Sequence, residues 1–186
     1  MPFIKVIDEK DATGPLKEVY EKLGKSRGKI ADVHKILSLD PKAITVHMDL
    51  YMKVMFGKSV LSRAQKEMLA VVVSVANDCE YCQRHHLEAL NFFWKNPDRC
   101  QALRKDFRQV DLCELDHSLC QYAFNLTKNP GDSHEDIVMQ LKLQSLDDKG
   151  VMEANLVVSY FNFVNRLVLG LGVAFSEEDA KGYKYE

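Results

Sequence analysis

Two cysteines and a histidine between positions 79 and 86 have the types and the spacing for thiol redox chemistry. Cys79 and Cys82 are separated by two residues, and His86 follows four residues after Cys82. At about 100° per residue, a helix would place these three side chains within roughly 60° of one another, whereas His85 would point elsewhere. Two thiols beside a proton carrier are the minimum that this chemistry requires. The segment therefore predicts a redox-active dithiol.

The residues just ahead of the pair predict that both thiols lie at the beginning of a helix. Asn77 and Asp78 interrupt one helical pattern and offer an N-cap for the next, so Cys79 would be the first helical residue and Cys82 would lie in the first turn. Unpaired backbone N–H groups and the positive end of the helix dipole favour a thiolate there. The Cβ atoms at i and i+3 lie roughly 5–6 Å apart, and a disulfide needs about 3.5–4.5 Å. Slight local tightening would therefore allow closure.

Glu67 is the fourth candidate, because a reversal of the chain would bring it to the histidine. Along one straight helix Glu67 would lie about 18 Å from Cys79. A bend at residues 76–78 instead brings Glu67 opposite the turn that carries His86. A carboxylate in that position could orient or reprotonate the imidazole. An unbroken helix from Glu67 to His86 would refute this hypothesis.

Helical periodicity runs through nearly the whole chain and predicts an all-α fold. Residues 62–65 have the pattern of a capping box for a helix whose interior is the apolar run 68–73, which favours a helix over a buried strand there. A weak internal similarity between the segments that begin at Leu61 and Leu146 leaves two degenerate helical halves as an open alternative. The other predicted helices are those from Thr13-Gly14-Pro15 to Gly24, from about Ile30 to Leu37, from Asp40-Pro41 to near Gly57, from Cys79 to about Trp94, from Asn96-Pro97, from Leu115 to Leu126, from Ser133 to Leu143 and from Asp147-Asp148 to about Leu171.

The composition indicates a single globular domain over residues 1–186, with its active-site core at about 61–94. A chain of 186 residues with 46% hydrophobic and 28% charged residues is ordinary for a soluble protein. The formal net charge of −2 gives no reason to expect nucleic-acid or membrane binding. We expect no membrane span, which needs about 20 apolar residues, and no secretory signal. The five cysteines fit no stapled secreted framework, so a reducing cytoplasmic location is expected.

The pattern of Glu67, eleven intervening residues and Cys79-x-x-Cys82-x-x-x-His86 resembles the active-site signature of AhpD-like alkylhydroperoxidases in the carboxymuconolactone decarboxylase superfamily. The surrounding segments resemble its peroxidase-related branch; they are residues 11–15, 33–41, 61–67 and 74–82. The resemblance implies an all-helical fold that assembles into homotrimers or homohexamers.

The same resemblance implies how these residues act. Cys82 would be the peroxidatic thiolate, which attacks the O–O bond of a hydroperoxide and becomes a sulfenic acid. Cys79 would resolve it to a Cys79–Cys82 disulfide, while Glu67 and His86 would relay protons. A partner dithiol, such as a lipoylated protein, would re-reduce the disulfide, and no bound cofactor or metal is implied. Tyr81 departs from the pattern, because it stands where well-studied members have a relay histidine, and a phenol with a pKa near 10 is a poor base at neutral pH.

Other interpretations of the cysteines stay open. The dithiol could belong to a non-enzymatic, redox-responsive oligomer whose disulfide alters assembly or partner binding. It could also be half of a structural zinc site, although such sites usually need two CxxC pairs and this chain has one. The remaining candidates are typical of structural residues: the in-phase set Cys113, His117 and Cys120, which could otherwise hold a metal, together with Cys100, His34 and His47.

Overall fold

The computed structural model describes residues 1–175, and this part of the chain contains nine α-helices and no strand. The predicted all-α fold is therefore confirmed; residues 176–186, the end of the predicted domain, lie outside the described residues. The helices are α1 (Gly14–Arg27), α2 (Asp32–Lys35), α3 (Pro41–Tyr51), α4 (Arg63–Ala76), α5 (Glu80–Trp94), α6 (Pro97–Asp106), α7 (Glu114–Lys128), α8 (Glu135–Leu143) and α9 (Asp148–Leu171).

Helix α4 lies at the centre of the molecule and packs against α5, α7 and α9. The capping box that begins it is present, because the Gln65 amide donates to Ser62 Oγ at 3.2 Å and the Ser62 amide donates to Gln65 Oε1 at 2.9 Å. Every residue from 66 to 74 is buried. A helix that is enclosed on all sides needs the continuous apolar run that this segment has.

Helix α9 is long and apolar enough, by length and composition alone, to cross a membrane. This was not expected from the sequence. In the structure 44% of the apolar window is buried inside the protein, where Val157, Phe161 and Val164 belong to the main core. The core helix of a soluble protein meets the same criterion, so the feature is weak evidence for a membrane span.

The predicted end of α1 at Gly24 is wrong. The helix continues to Arg27 and ends at Gly28, which has a left-handed φ of 86° and donates its amide to the Gly24 carbonyl at 3.0 Å. A glycine inside a helix costs only about 1 kcal/mol, whereas the left-handed position that ends a helix favours glycine strongly. The extra turn carries Arg27 to the rings of Tyr51 and Phe56.

A π-helical turn follows α3 over Met52–Phe56 and ends at Gly57, as the pattern predicted for the end of this helical segment. The turn places Phe56 against the guanidinium groups of Arg27 and Arg63, at 5.0 and 3.8 Å from the ring centre. The predicted helix at residues 30–37 is shorter than expected, since only Asp32–Lys35 is helical. Short 3-10 turns occur at Glu9–Asp11 and Phe107–Gln109.

Candidate active site

The chain reverses direction between α4 and α5, as predicted, through a Schellman turn. Asp78 has a left-handed φ of 55°. Its amide donates to the Val75 carbonyl at 3.0 Å, and the Cys79 amide donates to the Ser74 carbonyl at 2.9 Å. These two bonds close the end of α4, and aspartate is one of the few residues besides glycine that adopt the left-handed conformation readily. The same residues deliver Cys79 to the beginning of α5.

Cys79 is the N-cap residue of α5, one position earlier in the helix than predicted, and Cys82 lies in the first turn. Both thiols are free and buried, with 0% and 2% of their surface exposed. Hydrogen bonding from the Cys82 thiol lowers the pKa of Cys79 against the opposing effect of burial, and the Cys82 backbone amide adds to the lowering. Donation of that proton to Cys79, together with burial, raises the pKa of Cys82 well above its usual value. The first thiolate of the reduced pair is therefore favoured at Cys79.

The predicted meeting of Glu67 and His86 is present. His86 Nδ1 lies 2.6 Å from Glu67 Oε2, and an ionised carboxylate accepts hydrogen bonds only, so the imidazole donates. Glu67 is fully buried. Burial alone would raise its pKa, but the charges and hydrogen bonds of His86 and Arg63 outweigh burial and lower the pKa below its usual value.

Arg63 is a site residue that the sequence analysis did not identify. Its Nε and Nη2 atoms donate to Glu67 Oε1 at 2.8 and 2.6 Å, and its guanidinium lies over the Phe56 ring at 3.8 Å from the centre. The i, i+4 spacing of Arg63 and Glu67 on a helix is the signal that could have found the pair. The arginine keeps the buried carboxylate ionised beside His86.

One cavity of about 760 Å³, its open mouth included, brings the site residues together. Cys82, Glu67 and His86 all line it, whereas Cys79 lies behind Cys82 outside the lining. Half of the other lining residues carry aromatic or imidazole rings; they are His34, His47, Tyr51, Tyr81, His85, Tyr160 and Phe161. A mainly apolar wall with a few polar groups is typical of a pocket for a small organic molecule.

Two histidines expected to be structural line this cavity. His47 Nε2 lies 2.7 Å from the Tyr160 hydroxyl, and burial lowers the pKa of His47 to about 4. Burial also lowers the pKa of His34 to about 3, and the two rings lie 5.4 Å apart. Both side chains are therefore neutral at physiological pH. His34 and His47 have no helical spacing relative to the cysteines that would predict a shared site. They reach the cavity wall only because α2 and α3 contact α9.

Tyr81 is a buried packing residue, as its sequence position indicated. Its hydroxyl accepts a hydrogen bond from the Val33 amide at 3.3 Å, and its ring lies 4.1 Å from that of His85. The tyrosine between the two cysteines thus connects α5 to the first turn of α2. The acid–imidazole pair that lines the cavity is Glu67 and His86.

A buried amide network, also missed by the sequence analysis, ties α9 to the bend. Asn165 is fully buried; its amide donates to Ser74 Oγ at 3.3 Å, and its carbonyl oxygen accepts from Asn77 Nδ2 at 3.2 Å. A hydrogen bond from Asn165 to Cys82 works against the rise in the pKa of that thiol. The network fixes the position of the Schellman turn relative to the Cys82 sulfur.

The other cysteines do not join the site. Cys100 and Cys120 are buried and Cys113 is exposed, and burial raises the pKa of Cys100 to about 11. Within residues 1–175, no group of three or more His, Cys, Asp or Glu side chains could hold a metal ion. Neither the CxxC pair nor the set of Cys113, His117 and Cys120 has the ligands of a metal site in this part of the chain.

Comparison with known proteins agrees with this architecture. The sequence model of the carboxymuconolactone decarboxylase family matches residues 41–92, which include all four predicted site residues. An uncharacterized peroxidase-related protein from Silicibacter sp. TM1040 has a TM-score of 0.84 and 22% identity, with 96% of each chain covered. The alkylhydroperoxidase AhpD core of an uncharacterized peroxidase-related protein from Ralstonia eutropha JMP134 has a TM-score of 0.85 and 17% identity, with 96% of this chain and 94% of that chain covered.

The debrominase Bmp8 has the same fold, with a TM-score of 0.79, 16% identity and coverage of 95% of this chain and 94% of that chain. A cysteine-to-alanine variant of that debrominase is known in complex with 2,3,4-tribromopyrrole. No curated protein matches the sequence. Residues 41–92 thus match the model of the carboxymuconolactone decarboxylase family, and the chain has the AhpD-like fold, in agreement with the resemblance found in the sequence.

Proposed function

We propose that this protein is an enzyme that reduces organic hydroperoxides through the Cys79–Cys82 dithiol. The observation that carries the proposal is that Cys82 shares one cavity with the Glu67–His86 pair while it is hydrogen-bonded to Cys79 behind it. A thiol that a substrate can reach, a second thiol that can resolve it and a proton carrier are thus placed together.

The first step oxidises Cys82. The Cys79 thiolate accepts the proton that Cys82 already donates to it, so Cys79 is the immediate base. The Cys82 thiolate then attacks one oxygen of the O–O bond; the S–O bond forms, the O–O bond breaks, and the alkoxide leaves. His86, held by Glu67, supplies a proton to the alkoxide, which departs as an alcohol.

The second step closes the disulfide. Cys79 attacks the sulfenic sulfur of Cys82 as it releases the proton it accepted in the first step, the S–O bond breaks, and the hydroxide leaves with that proton as water. In sum, a hydroperoxide and two thiols give an alcohol, water and one disulfide.

Re-reduction requires an external dithiol. Both sulfurs are buried, so a thiol on the surface of a folded partner cannot approach them, whereas a dithiol on a slender arm can enter the cavity beside Cys82. A lipoylated protein is such a partner. It would form a mixed disulfide and leave the pair as two thiols with its own dithiol oxidised.

Reductive debromination is the second candidate, and two observations favour it. The debrominase Bmp8 shares the fold, and the aromatic side chains of the cavity wall suit a flat halogenated ring. The electron balance is similar: one C–Br bond and two thiols give one C–H bond, bromide, a proton and a disulfide. Release of bromide from 2,3,4-tribromopyrrole in the presence of a dithiol would favour this candidate over peroxide reduction.

Mass spectrometry of the thiol state before and after one equivalent of cumene hydroperoxide tests the main proposal. We expect the Cys79–Cys82 disulfide to form in the intact protein and to disappear with dihydrolipoamide, with one alcohol produced per turnover. Oxidation that no dithiol reverses, accompanied by a change in oligomer size, would indicate a redox-responsive protein instead. Thiols that remain reduced and hold stoichiometric zinc would contradict any dithiol enzyme.

A further inference from the structure

We infer that the cavity is built for an organic hydroperoxide that carries a carboxylate on an apolar, ring-containing body, and that Arg27 binds this carboxylate. Only the hydroperoxide part of this inference depends on the proposed function. The carboxylate site is supported by three features of the cavity wall: its charge, its ring contacts and its polar atoms.

Arg27 carries a positive charge in the cavity wall that no carboxylate of the described residues pairs with. Glu67 is the one acidic side chain among the described lining residues, and Arg63 and His86 already pair with it. Arg27 and Lys29 also line the cavity, and the one hydrogen bond of Arg27 among residues 1–175 goes to the Tyr51 hydroxyl at 3.5 Å. No carboxylate of these residues pairs with it, so its charge is available to a ligand.

The guanidinium of Arg27 is also held in place before any ligand arrives. It lies 5.4 Å from the ring centre of Tyr51 and 5.0 Å from that of Phe56. These cation–π contacts shield part of the group from water and restrict its rotamers. A planar fork of donors that is already oriented suits a carboxylate, which it can bind through two parallel hydrogen bonds.

The middle of the wall fits a ring. Tyr160, Phe161 and the neutral imidazoles of His34 and His47 line the cavity, and they give an apolar surface with edges and faces for aromatic contact. A ligand with its carboxylate at Arg27 would lay its ring along this surface. Its reactive end would then be free to face Cys82, which lines the same cavity.

His47 provides a second polar contact. Its Nδ1 is buried without a hydrogen-bond partner among the described residues, although the side chain lines the cavity and is only 5% exposed. Where the Tyr160 hydroxyl donates to Nε2, Nδ1 carries the ring proton and is a donor. A buried donor without an acceptor is unfavourable, and an oxygen atom of the ligand would satisfy it.

The test uses an unreactive pair of ligands of the same shape, 4-isopropylbenzoate and the neutral 4-isopropylbenzyl alcohol. Calorimetry on the full-length protein should show that the acid binds about 10- to 100-fold more tightly than the alcohol, the range of one charge-assisted hydrogen-bonded pair. Arg27→Gln should remove this preference and leave the binding of the alcohol unchanged. Arg27→Lys, which keeps the charge but not the fork, should retain part of the preference.

Lys25→Gln is the matched control, because it removes the same charge from an exposed position on the same helix. Equal affinity for acid and alcohol in the wild type would overturn the inference, and so would an equal loss of acid binding in Lys25→Gln and Arg27→Gln. Circular dichroism of each variant checks folding, and Arg27→Lys supplies the test if Arg27→Gln does not fold.

A kinetic comparison separates this inference from the proposed function. The substrates are cumene hydroperoxide and its 4-carboxylate, and the expected result is a KM about 10- to 100-fold lower for the carboxylate, lost in Arg27→Gln. Turnover of both substrates without preference would overturn the carboxylate site alone. Tight binding of 4-isopropylbenzoate without consumption of either hydroperoxide would overturn the proposed function alone.

Discussion

Glu67 and His86 form a hydrogen bond of 2.6 Å although they are 19 residues apart. The bond exists because the chain reverses at Asp78, so that α5 returns along α4. Since the bond occupies Nδ1 of the imidazole, Nε2 is the ring nitrogen left to exchange protons in the cavity. This contact determines which residues we expect to take part in proton transfer.

Substitution of Cys82 and substitution of Cys79 should have different effects on the reaction. Cys82→Ser should abolish consumption of hydroperoxide, because it removes the one sulfur among residues 1–175 that lines the cavity. Cys79→Ser should instead leave Cys82 as a sulfenic or over-oxidised acid, which dimedone labelling and mass spectrometry detect. Turnover in Cys82→Ser, together with an inert Cys79→Ser protein, would mean that the two roles are reversed.

His86→Ala should slow hydroperoxide reduction by about 10²- to 10⁴-fold, the usual contribution of a positioned proton carrier. Disulfide formation by a strong oxidant such as diamide should persist, because that reaction does not need a proton delivered to an alkoxide. The control is His117→Ala, which removes an exposed histidine of α7. Equal rates in the His86→Ala variant and the wild type would exclude His86 from the relay.

Arg63→Met should destabilise the protein by about 3–5 kcal/mol near pH 7, because it removes one of the two partners of the buried Glu67 charge. Urea denaturation measures this. Glu80→Gln is the control; it removes an exposed i, i+4 partner of Arg84 and should cost under about 1 kcal/mol.

The cost of Arg63→Met should also depend on pH. The folded pKa of Glu67 is lowered, so its stabilising contribution is present above the unfolded pKa of about 4.3 and is lost as the pH falls through the folded value. The difference between wild type and variant should therefore narrow below about pH 4. A difference that is constant from pH 7 to pH 3 would contradict this account.

As the pH falls, protonation of His47 should destabilise the wild type at a higher pH than protonation of Glu67 does. The folded pKa of His47 is about 4 and the unfolded value about 6.5, so the unfolded chain binds the proton more readily. Stability is thus lost as the pH falls from about 6.5 towards 4, by up to about 3 kcal/mol. His47→Gln should flatten this part of the profile, measured by urea midpoints. His34 shifts in the same direction and should leave a residual slope.

Asp78 should respond to alanine and glycine in the opposite way to an ordinary helical residue. Asp78→Ala should cost about 1 kcal/mol relative to Asp78→Gly, because only glycine adopts the left-handed φ of this turn without strain. At Glu21, an exposed position inside α1, glycine should instead be worse than alanine by about 1 kcal/mol. Thermal or urea unfolding of the four variants measures the reversal; the same order at both positions would contradict the proposed strain.

The sequence by itself determined the helical class, the capping box at Ser62, the bend before Cys79 and the group of Glu67, Cys82 and His86. These features are local or depend on one reversal. A capping pattern, a break in periodicity and the spacing along two adjacent helices are enough to place them, because helical geometry is regular over such distances.

Only the tertiary structure decided what surrounds that group. Arg27, His47 and Tyr160 come from α1, α3 and α9, and they meet at the cavity because α1 packs against α3, His47 of α3 contacts Tyr160, and α9 packs against α4 and α5. The burial of both thiols and the preference for a thiolate at Cys79 rather than Cys82 arise in the same way. Desolvation and the contacts between distant helices depend on how the core is packed, and no spacing along the chain encodes them.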